Sequence, residues 1–339
     1  MNELAMSSVE VVIPVYNSPE LTMRCINSVV THFGEDIQRI NIYDDASNDQ
    51  TRAMLDNLQH DQVHVYHAPQ NQGFGQSVNT AVAQSDADFV LVLNSDTEVF
   101  ENILPKLCAA FAADPKLAVI SPIDNKYSVD EGSRYIRQPS GYIQVFRFQG
   151  YAFLIRRCVF LEIGGFDSVF GRGYYEDIDL GRRLDRKDWR IGVHPDVYIH
   201  HEGGGTFGRG RAYRRLMTHN RAIYLARYPT ASRNILMISS CCVLTEFSTE
   251  LLNAIEDVFR QGGNVHWLTP APAPLLYCLH MRNSPVSLTM MCRLMLRGLF
   301  RQDKRISAVW ILPGIAPQRE GLLTFFARLR KIEVLSLVG

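Results

Sequence analysis

The stretch VEVVIPVYNSPE, Val9 to Glu20, decides the fold. Val9–Val15 is a nearly continuous apolar, β-branched run, as expected of a strand buried on both faces. Ser18 follows as a helix N-cap with Pro19 at the first helical position, which predicts a helix from Pro19 to about Thr31. The alternation then continues. Ile40–Tyr43, Val63–His67 and Asp88–Leu93 read as strands. A helix opens near Asn48 and Asp49, another follows Gly73 and Gly75, and a third covers Glu101–Ala113. This spacing predicts a mostly parallel, Rossmann-like α/β sheet, whose ligands sit at the carboxyl ends of the strands.

Beyond residue 121 the pattern loosens. Residues 122–141 (PIDNKYSVDEGSRYIRQPSG) are polar and turn-rich and read as a loop or linker. Strand-like Tyr142–Phe148, an apolar segment Tyr151–Phe160, an acidic helix from about Tyr175 to Lys187 and a strand Trp189–His200 come next. The glycine-rich HHEGGGTFGRGR, His200–Arg211, leads into a long helix, Ala212–Tyr228. After Pro229 the β signals fade, and the rest reads as helices broken by PAPAP (Pro270–Pro274) and Pro313. The expected organisation is an α/β domain over 1–228, split into a nucleotide-binding half (1–120) and an acceptor and catalytic half (121–228). A mainly helical, basic extension covers 229–339.

Composition narrows the classes. A chain of 339 residues, 46% hydrophobic and 21% charged, has room for one large α/β domain with an appendage. Seven cysteines without a CxxC pair argue against a disulfide or zinc framework and fit a reducing cytosol. The start lacks the apolar stretch of a secretory signal, and ILMISSCCVL (Ile235–Leu244) is too short to span a bilayer. A soluble or peripheral protein is expected. The net charge of zero hides a gradient: residues 1–120 hold 5 basic against 16 acidic residues, and residues 203–339 hold 18 against 7. The basic tail suits a polyanionic or membrane-surface partner, or attraction to the acidic front half. Nucleic acid is not expected, because no reader motif accompanies the basic residues.

Polar clusters fall at the predicted strand ends: Pro14-Val15-Tyr16-Asn17, Asp44-Asp45-Ala46-Ser47 and Asn94-Ser95-Asp96. One such cluster is more often a turn or a helix cap, but three in register point to a ligand. Asp44 or Asp45 suits the imide N–H of a pyrimidine base, and Asp96 a divalent cation bridging two phosphates. Asn71, Gly73, Gly75 and Asn79 surround a helix start whose free N–H groups suit phosphate or sugar hydroxyls. Glu176 and Asp177 open an acidic helix, where the dipole stabilises carboxylates, and Asp177 stands where a general base facing an acceptor hydroxyl would be needed. Asp179 and Arg183 are spaced to pair along that helix. His200-His201 supplies an imidazole for a Mn²⁺ or Mg²⁺ set completed by diphosphate. Arg209 and Arg211 follow in the glycine-rich loop, suited to the growing charge of a leaving diphosphate.

Together these residues resemble the family-2 glycosyltransferases, whose catalytic domain has the GT-A fold. The pieces run in family order: PVYN at 14–17, DDAS at 44–47, NQGFGQSVN at 71–79, LNSDTEV at 93–99, GGFD at 164–167, YEDIDL at 175–180 and HHEGGGTFG at 200–208. The resemblance covers roughly residues 8–228 and is greatest to bacterial rhamnosyltransferase-type enzymes of cell-surface polysaccharides. It implies inverting transfer from a nucleoside-diphosphate sugar, dTDP-rhamnose or a UDP-sugar, to a glycan or lipid-linked acceptor at the inner face of the membrane. Pro14, Tyr16, Asn17, Asp44, Asp45, Asn71, Gly73, Gly75, Asn79, Asn94, Ser95 and Asp96 would bind the donor. Asp177 would be the base, and Glu176, Arg209 and Arg211 would line the acceptor and diphosphate side. Asp96 and His201 would hold the metal, His201 being chosen by its distance to Thr206. Asn94 replaces the first carboxylate of the family's DxD, so metal binding is expected to lean on the nucleotide.

Other readings belong to different classes. One is a non-catalytic nucleotide-sugar-binding or scaffolding subunit of a glycan assembly complex. Another is a nucleotidyltransferase or dehydrogenase, which lacks its dinucleotide fingerprint here. In the tail, Arg293, Arg297 and Arg301 recur at four-residue spacing, and Phe325, Phe326, Arg328, Arg330 and Lys331 repeat the basic amphipathic mixture. Such helices suit peripheral membrane contact, packing on their own domain, or a second subunit in a homo-oligomer.

Overall fold

The computed structural model describes residues 7–125, 132–203, 210–297, 299 and 304–336. They divide into two compact units: residues up to 125 with 137–224, and 132–136 with 225–336.

The first unit opens with β1 (Val9–Val15), α1 (Pro19–Phe33), β2 (Ile40–Asp44), α2 (Asp49–Asp56), β3 (Val63–His67), α3 (Phe74–Gln84) and β4 (Phe89–Leu93). Their strands are parallel in the order β3-β2-β1-β4. Every residue of β1 is buried, including Glu10, which pairs with Arg39. Cys25, Ile26, Val29 and Phe33 of α1 join Ile13 and Leu91 in the same core. Each such side chain contributes about 1.5–3 kcal/mol. Asn48 caps α2 by accepting the N–H of Thr51.

The unit continues with β5 (Thr97–Glu98), α4 (Leu104–Ala113), β6 (Leu117–Asp124), β7 (Ile143–Val145), β8 (Ala152–Arg156), α5 (Arg157–Glu162), α6 (Glu176–Arg186), β9 (Arg190–His201) and α7 (Arg211–Arg227). The sheet extends as β4-β8-β6-β9-β5, with β7 also on β9. Here pairing is mixed: β8 is antiparallel to β4 and β6, β9 is parallel to β6, and β5 and β7 are antiparallel to β9. The expected loop at 122–141 needs correction, because β6 runs through Asp124. Ser121-Pro122 imitates a turn in sequence, but Pro122 sits where the register against β9 shifts, a place that tolerates a missing N–H. Part of that loop, residues 126–131, lies outside the described residues.

The second unit carries the helices expected of the tail and adds a sheet to them. Its helices α8 (Thr249–Arg260), α9 (Leu288–Leu296) and α10 (Pro317–Leu329) are present. Between them runs a five-stranded sheet, β10 (Asn234–Ile238), β11 (Asn264–Thr269), β12 (Met281–Pro285), β13 (Ala308–Ile311) and β14 (Glu333–Ser336). All its pairings are parallel, in the order β12-β11-β10-β13-β14. These strands are four to six residues long, and a short apolar run does not distinguish strand from helix by period. No described helix is long and apolar enough to cross a membrane. All seven cysteines carry free thiols.

Candidate active site

A cavity of about 830 Å³ opens in the first unit, at the carboxyl ends of β1, β2 and β4. Its wall is completed by residues 149–151, 172–178 and 201–203 and by the first turns of α7.

On the β2 side, Asp45 is almost fully buried and accepts two backbone hydrogen bonds. Its Oδ1 accepts from Gln72 N at 2.6 Å and its Oδ2 from Gly73 N at 2.8 Å. Asn71 Nδ2 donates to the Asp45 carbonyl at 3.1 Å. The N–H groups at 72 and 73, expected to meet a phosphate, therefore hold Asp45 instead. Gly73 has φ +87°, and a Cβ there would come within 2.6 Å of the Arg172 and Gly171 backbone. That glycine is required by close packing and conformation together. Asp44 is turned away from the cavity wall: it accepts from Ser47 N and pairs with His67 Nδ1 at 2.7 Å.

At the β4 end, the two-residue ladder between β5 and β9 pairs Thr97 with His201. This register brings His201 Nε2 within 3.4 Å of Asp96 Oδ1. His201 lines the cavity, whereas His200 leans toward Glu202. Nearby, Asn94 Oδ1 is buried without a hydrogen-bond partner among the described residues. A carboxylate, an imidazole and an orphaned amide oxygen form a donor set that fits Mn²⁺ or Mg²⁺ when phosphate oxygens supply the remaining positions. No group of three His, Cys, Asp or Glu side chains placed to hold a metal occurs among the described residues, which by themselves offer an incomplete shell.

The third wall is the start of α6. Tyr174 and Tyr175 have φ of 72° and 77°, consecutive left-handed residues that carry backbone strain. Asn220 of α7 holds this turn, its Nδ2 donating to the carbonyls of Phe170, Gly173 and Tyr174. The turn delivers Glu176 and Asp177. Asp177 Oδ1 accepts from Ile178 N at 2.8 Å, and a Cβ on Gly150 would lie 2.9 Å from its Oδ2. Burial raises the Asp177 carboxyl above its usual range, opposed by the N–H groups of Ile178 and Gly150 and the charge of Arg147. Burial, then the Asp177 charge, push Glu176 up to about 8. Its Oε2 has no hydrogen-bond partner among the described residues. Asp179 and Arg183 pair at 2.7 Å, and Arg183 also donates to the carbonyls of Ile163 and Gly165, a structural anchor for the helix.

The cavity thus unites Pro14, Tyr16, Asp45, Asn71 and Gly73 with Asn94, Ser95 and Asp96, and these with Glu176, Asp177 and His201. It leaves out Asn17, Asp44, Gly75, Asn79 and Arg211. Asn17 links two strand-end turns, its Oδ1 accepting from Asn48 N and its own N–H reaching Ser47 Oγ. Asn79 exchanges two bonds with the Phe166 backbone, and Gly75 packs close to the Phe166 side chain. Arg209 and Thr206 lie outside the described residues. Arg172, Tyr174 and Asn220 were not legible as site residues. Arg172 and Tyr174 stand in a stretch of mixed glycines and aromatics, and Asn220 is one polar residue within a helix.

Residues 10–178 match the family described as Glycosyl transferase family 2, and through this domain the chain belongs to the family-2 glycosyltransferases. The N-acetylglucosaminyl-diphospho-decaprenol L-rhamnosyltransferase of Mycobacterium tuberculosis is 27% identical over 196 residues, which are 46% of this chain and 63% of that protein. The GalNAc(5)-diNAcBac-PP-undecaprenol beta-1,3-glucosyltransferase of Campylobacter jejuni is 30% identical over 105 residues, 30% of this chain and 34% of that protein. The chain therefore spans less than two thirds of the length of either relative. Among solved structures, the mannosyltransferase PcManGT from Pyrobaculum calidifontis, in complex with GDP-Man and Mn2+, superposes with a TM-score of 0.50 at 18% identity. That match covers 65% of this chain and 64% of the other, and establishes the GT-A fold.

Proposed function

We propose that this chain is an inverting, metal-dependent glycosyltransferase that moves a sugar from a nucleoside-diphosphate sugar, dTDP-rhamnose or a UDP-sugar, to a hydroxyl of a glycan or lipid-linked acceptor. The observation that carries the reading is the convergence of Asp45, Asp96, His201 and Asp177 on one cavity. The names of the mycobacterial and Campylobacter relatives support a lipid-linked acceptor in a bacterial surface-glycan pathway.

Asp45 and Tyr16 receive the nucleoside end of the donor, with Asp45 already oriented by the N–H groups at 72 and 73. Asp96 and His201 hold the divalent cation, which when bound supplies positive charge to the diphosphate. Arg172, the arginine among the described cavity-lining residues, adds to that charge. Asp177 accepts the proton of the acceptor hydroxyl as its oxygen attacks the anomeric carbon. The bond from that carbon to the diphosphate oxygen breaks, and the nucleoside diphosphate leaves with the electron pair. Glu176, protonated near neutral pH, offers its free carboxyl as a hydrogen-bond donor to the bound sugars.

The second unit suits contact with the membrane that carries such an acceptor. Phe325 and Leu329 of α10 are 62% and 71% exposed, beside Arg328 and Lys331. Leu288 and Leu296 of α9 are also exposed, near Arg293.

Asp177→Asn tests the assignment of the base. Transfer from the nucleotide sugar is expected to vanish while calorimetric binding of dTDP or UDP in the presence of Mn²⁺ survives. Near-normal turnover by the variant would show that the base lies elsewhere.

A further inference from the structure

The carboxyl end of β6 carries a residue that neither the motif order nor the cavity wall contains. Asp124 is 1% exposed and stands in register with Ile199 of β9, two residues before His201. Its Oδ2 lies 3.7 Å from His201 Nδ1, while the other ring nitrogen, Nε2, lies 3.4 Å from Asp96 Oδ1. The imidazole is thus placed between two carboxylates, one lining the cavity and one beneath it. Its remaining sides are also fixed. The Tyr151 ring stacks on it at 4.5 Å and 24°, and the His201 backbone N–H donates to Asn125 Oδ1 at 3.0 Å.

A neutral imidazole carries one proton, and the group facing each nitrogen decides which one. Carboxylates face both nitrogens, but Asp124 is 1% exposed against 9% for Asp96, so its charge is less screened by water and favours the proton on Nδ1, which leaves the Nε2 lone pair for the cavity. A carboxylate behind a metal-binding histidine orients the ring and raises its basicity. We propose that Asp124 is a positioning residue that holds His201 in its Nδ1–H tautomer and aims Nε2 at the cation site shared with Asp96. The inference rests on the metal-binding reading of that pair. It adds to it a third residue and a direction: Asp124 acts through His201 and touches neither cation nor substrate. The alternative role for Asp124, closing β6 against β9, would leave metal affinity untouched.

The test follows Mn²⁺ binding by the loss of its free-ion spin-resonance signal, with saturating dTDP or UDP, in wild-type protein, Asp124→Asn and Asp124→Ala. Asp124→Ala is expected to weaken Mn²⁺ binding by about 10–100-fold. Asp124→Asn is expected to recover most of it, because its amide oxygen still presents an acceptor on the Nδ1 side of the ring. Nucleotide binding without metal should be unchanged in both. Equal Mn²⁺ binding by wild type and both variants overturns the role of Asp124 and leaves the metal pair standing. Failure of the wild type to bind Mn²⁺ with any nucleotide overturns the pair itself, and the inference with it. If the variants do not fold, nitrogen-15 spectra of metal-free wild-type histidines, assigned with His201→Gln, decide: the Nδ1–H tautomer supports the inference and the Nε2–H tautomer overturns it.

Discussion

The chain contains the same parallel strand order twice. In the first unit it is β3-β2-β1-β4, and in the second β12-β11-β10-β13, with β14 added at one edge. Both sheets present their strand ends where ligands of such folds bind. The first sheet places Asp45, Asn94 and Asp96 there, and a cavity opens beside them. The second places small neutral groups there and spends them on itself. Ser239 Oγ accepts from Trp267 Nε1 at 2.7 Å, and Ser240 Oγ donates to the Pro313 carbonyl at 3.0 Å. Thr269 Oγ1 accepts from Asn283 and donates to the Ala271 carbonyl. Topology offers a site in both cases, and only the strand-end chemistry turns one into a candidate active site.

The largest expected effect tests that contrast directly. Asp96→Ala should lower the rate of sugar transfer by about 10³-fold. Ser240→Ala, at a strand end of the second sheet, should leave it within about twofold, since it removes one neutral hydrogen bond. Steady-state transfer assays on both variants decide. Equal losses would mean that the two sheets share the catalytic work.

The same contrast explains what could be read from sequence. The first sheet announces itself because VEVVIPV and FVLVL are rich in β-branched residues and end in charged or amide clusters. The second was hidden because its strand ends carry no such motifs and two of its strands are not apolar in pattern. β12 is MRNSP, an edge strand that is mostly polar and ends in proline. β14, EVLS, is the opposite edge and only half-buried. Within the first unit, the order of motifs pointed to Asp96, Asp177 and His201, which line one cavity. It misplaced Asp44, because adjacent carboxylates on a strand end point to opposite sides, one toward the cavity and one toward His67. Asp124 and Asn220 escaped because strand register and helix packing, not local sequence, set their positions.

A smaller effect separates the units by pH. Glu176 titrates near 8 in the folded chain against 4.5 in the unfolded one, so the folded state holds the extra proton and loses stability as pH rises through that window. Glu176→Gln should therefore stabilise the first unit by about 1–3 kcal/mol above pH 8 and change little below pH 4.5. In the second unit, burial and then the charges of Arg282 and Arg297 lower His266 to about 4 from 6.5. The unfolded chain takes up the proton first, so stability falls as pH drops from 6.5 toward 4. His266→Gln should flatten that acid limb by about 1–2 kcal/mol. Denaturant unfolding read through Trp189 in the first unit and Trp267 in the second assigns each limb. A limb that moves in the wrong unit would refute the pairing.

The smallest expected effect concerns the surface of the second unit. Vesicles of phosphatidylcholine with about one third phosphatidylglycerol should sediment the protein several-fold better than phosphatidylcholine alone. The double change Phe325→Ser and Leu329→Ser should reduce that advantage, with transfer to a soluble acceptor unaffected. Sedimentation independent of anionic lipid, or of these two residues, would remove the membrane contact from the proposal.

Gly150 has a consequence at the level of the gene. Every missense change in a glycine codon introduces at least a Cβ, and at position 150 that carbon would lie 2.9 Å from the Asp177 carboxylate oxygen and 3.1 Å from its Cβ. The neighbour with freedom to yield is the Asp177 side chain, so the protein would keep its fold and mis-aim the proposed proton acceptor. Codon 150 is therefore one where inactive but well-folded alleles should collect.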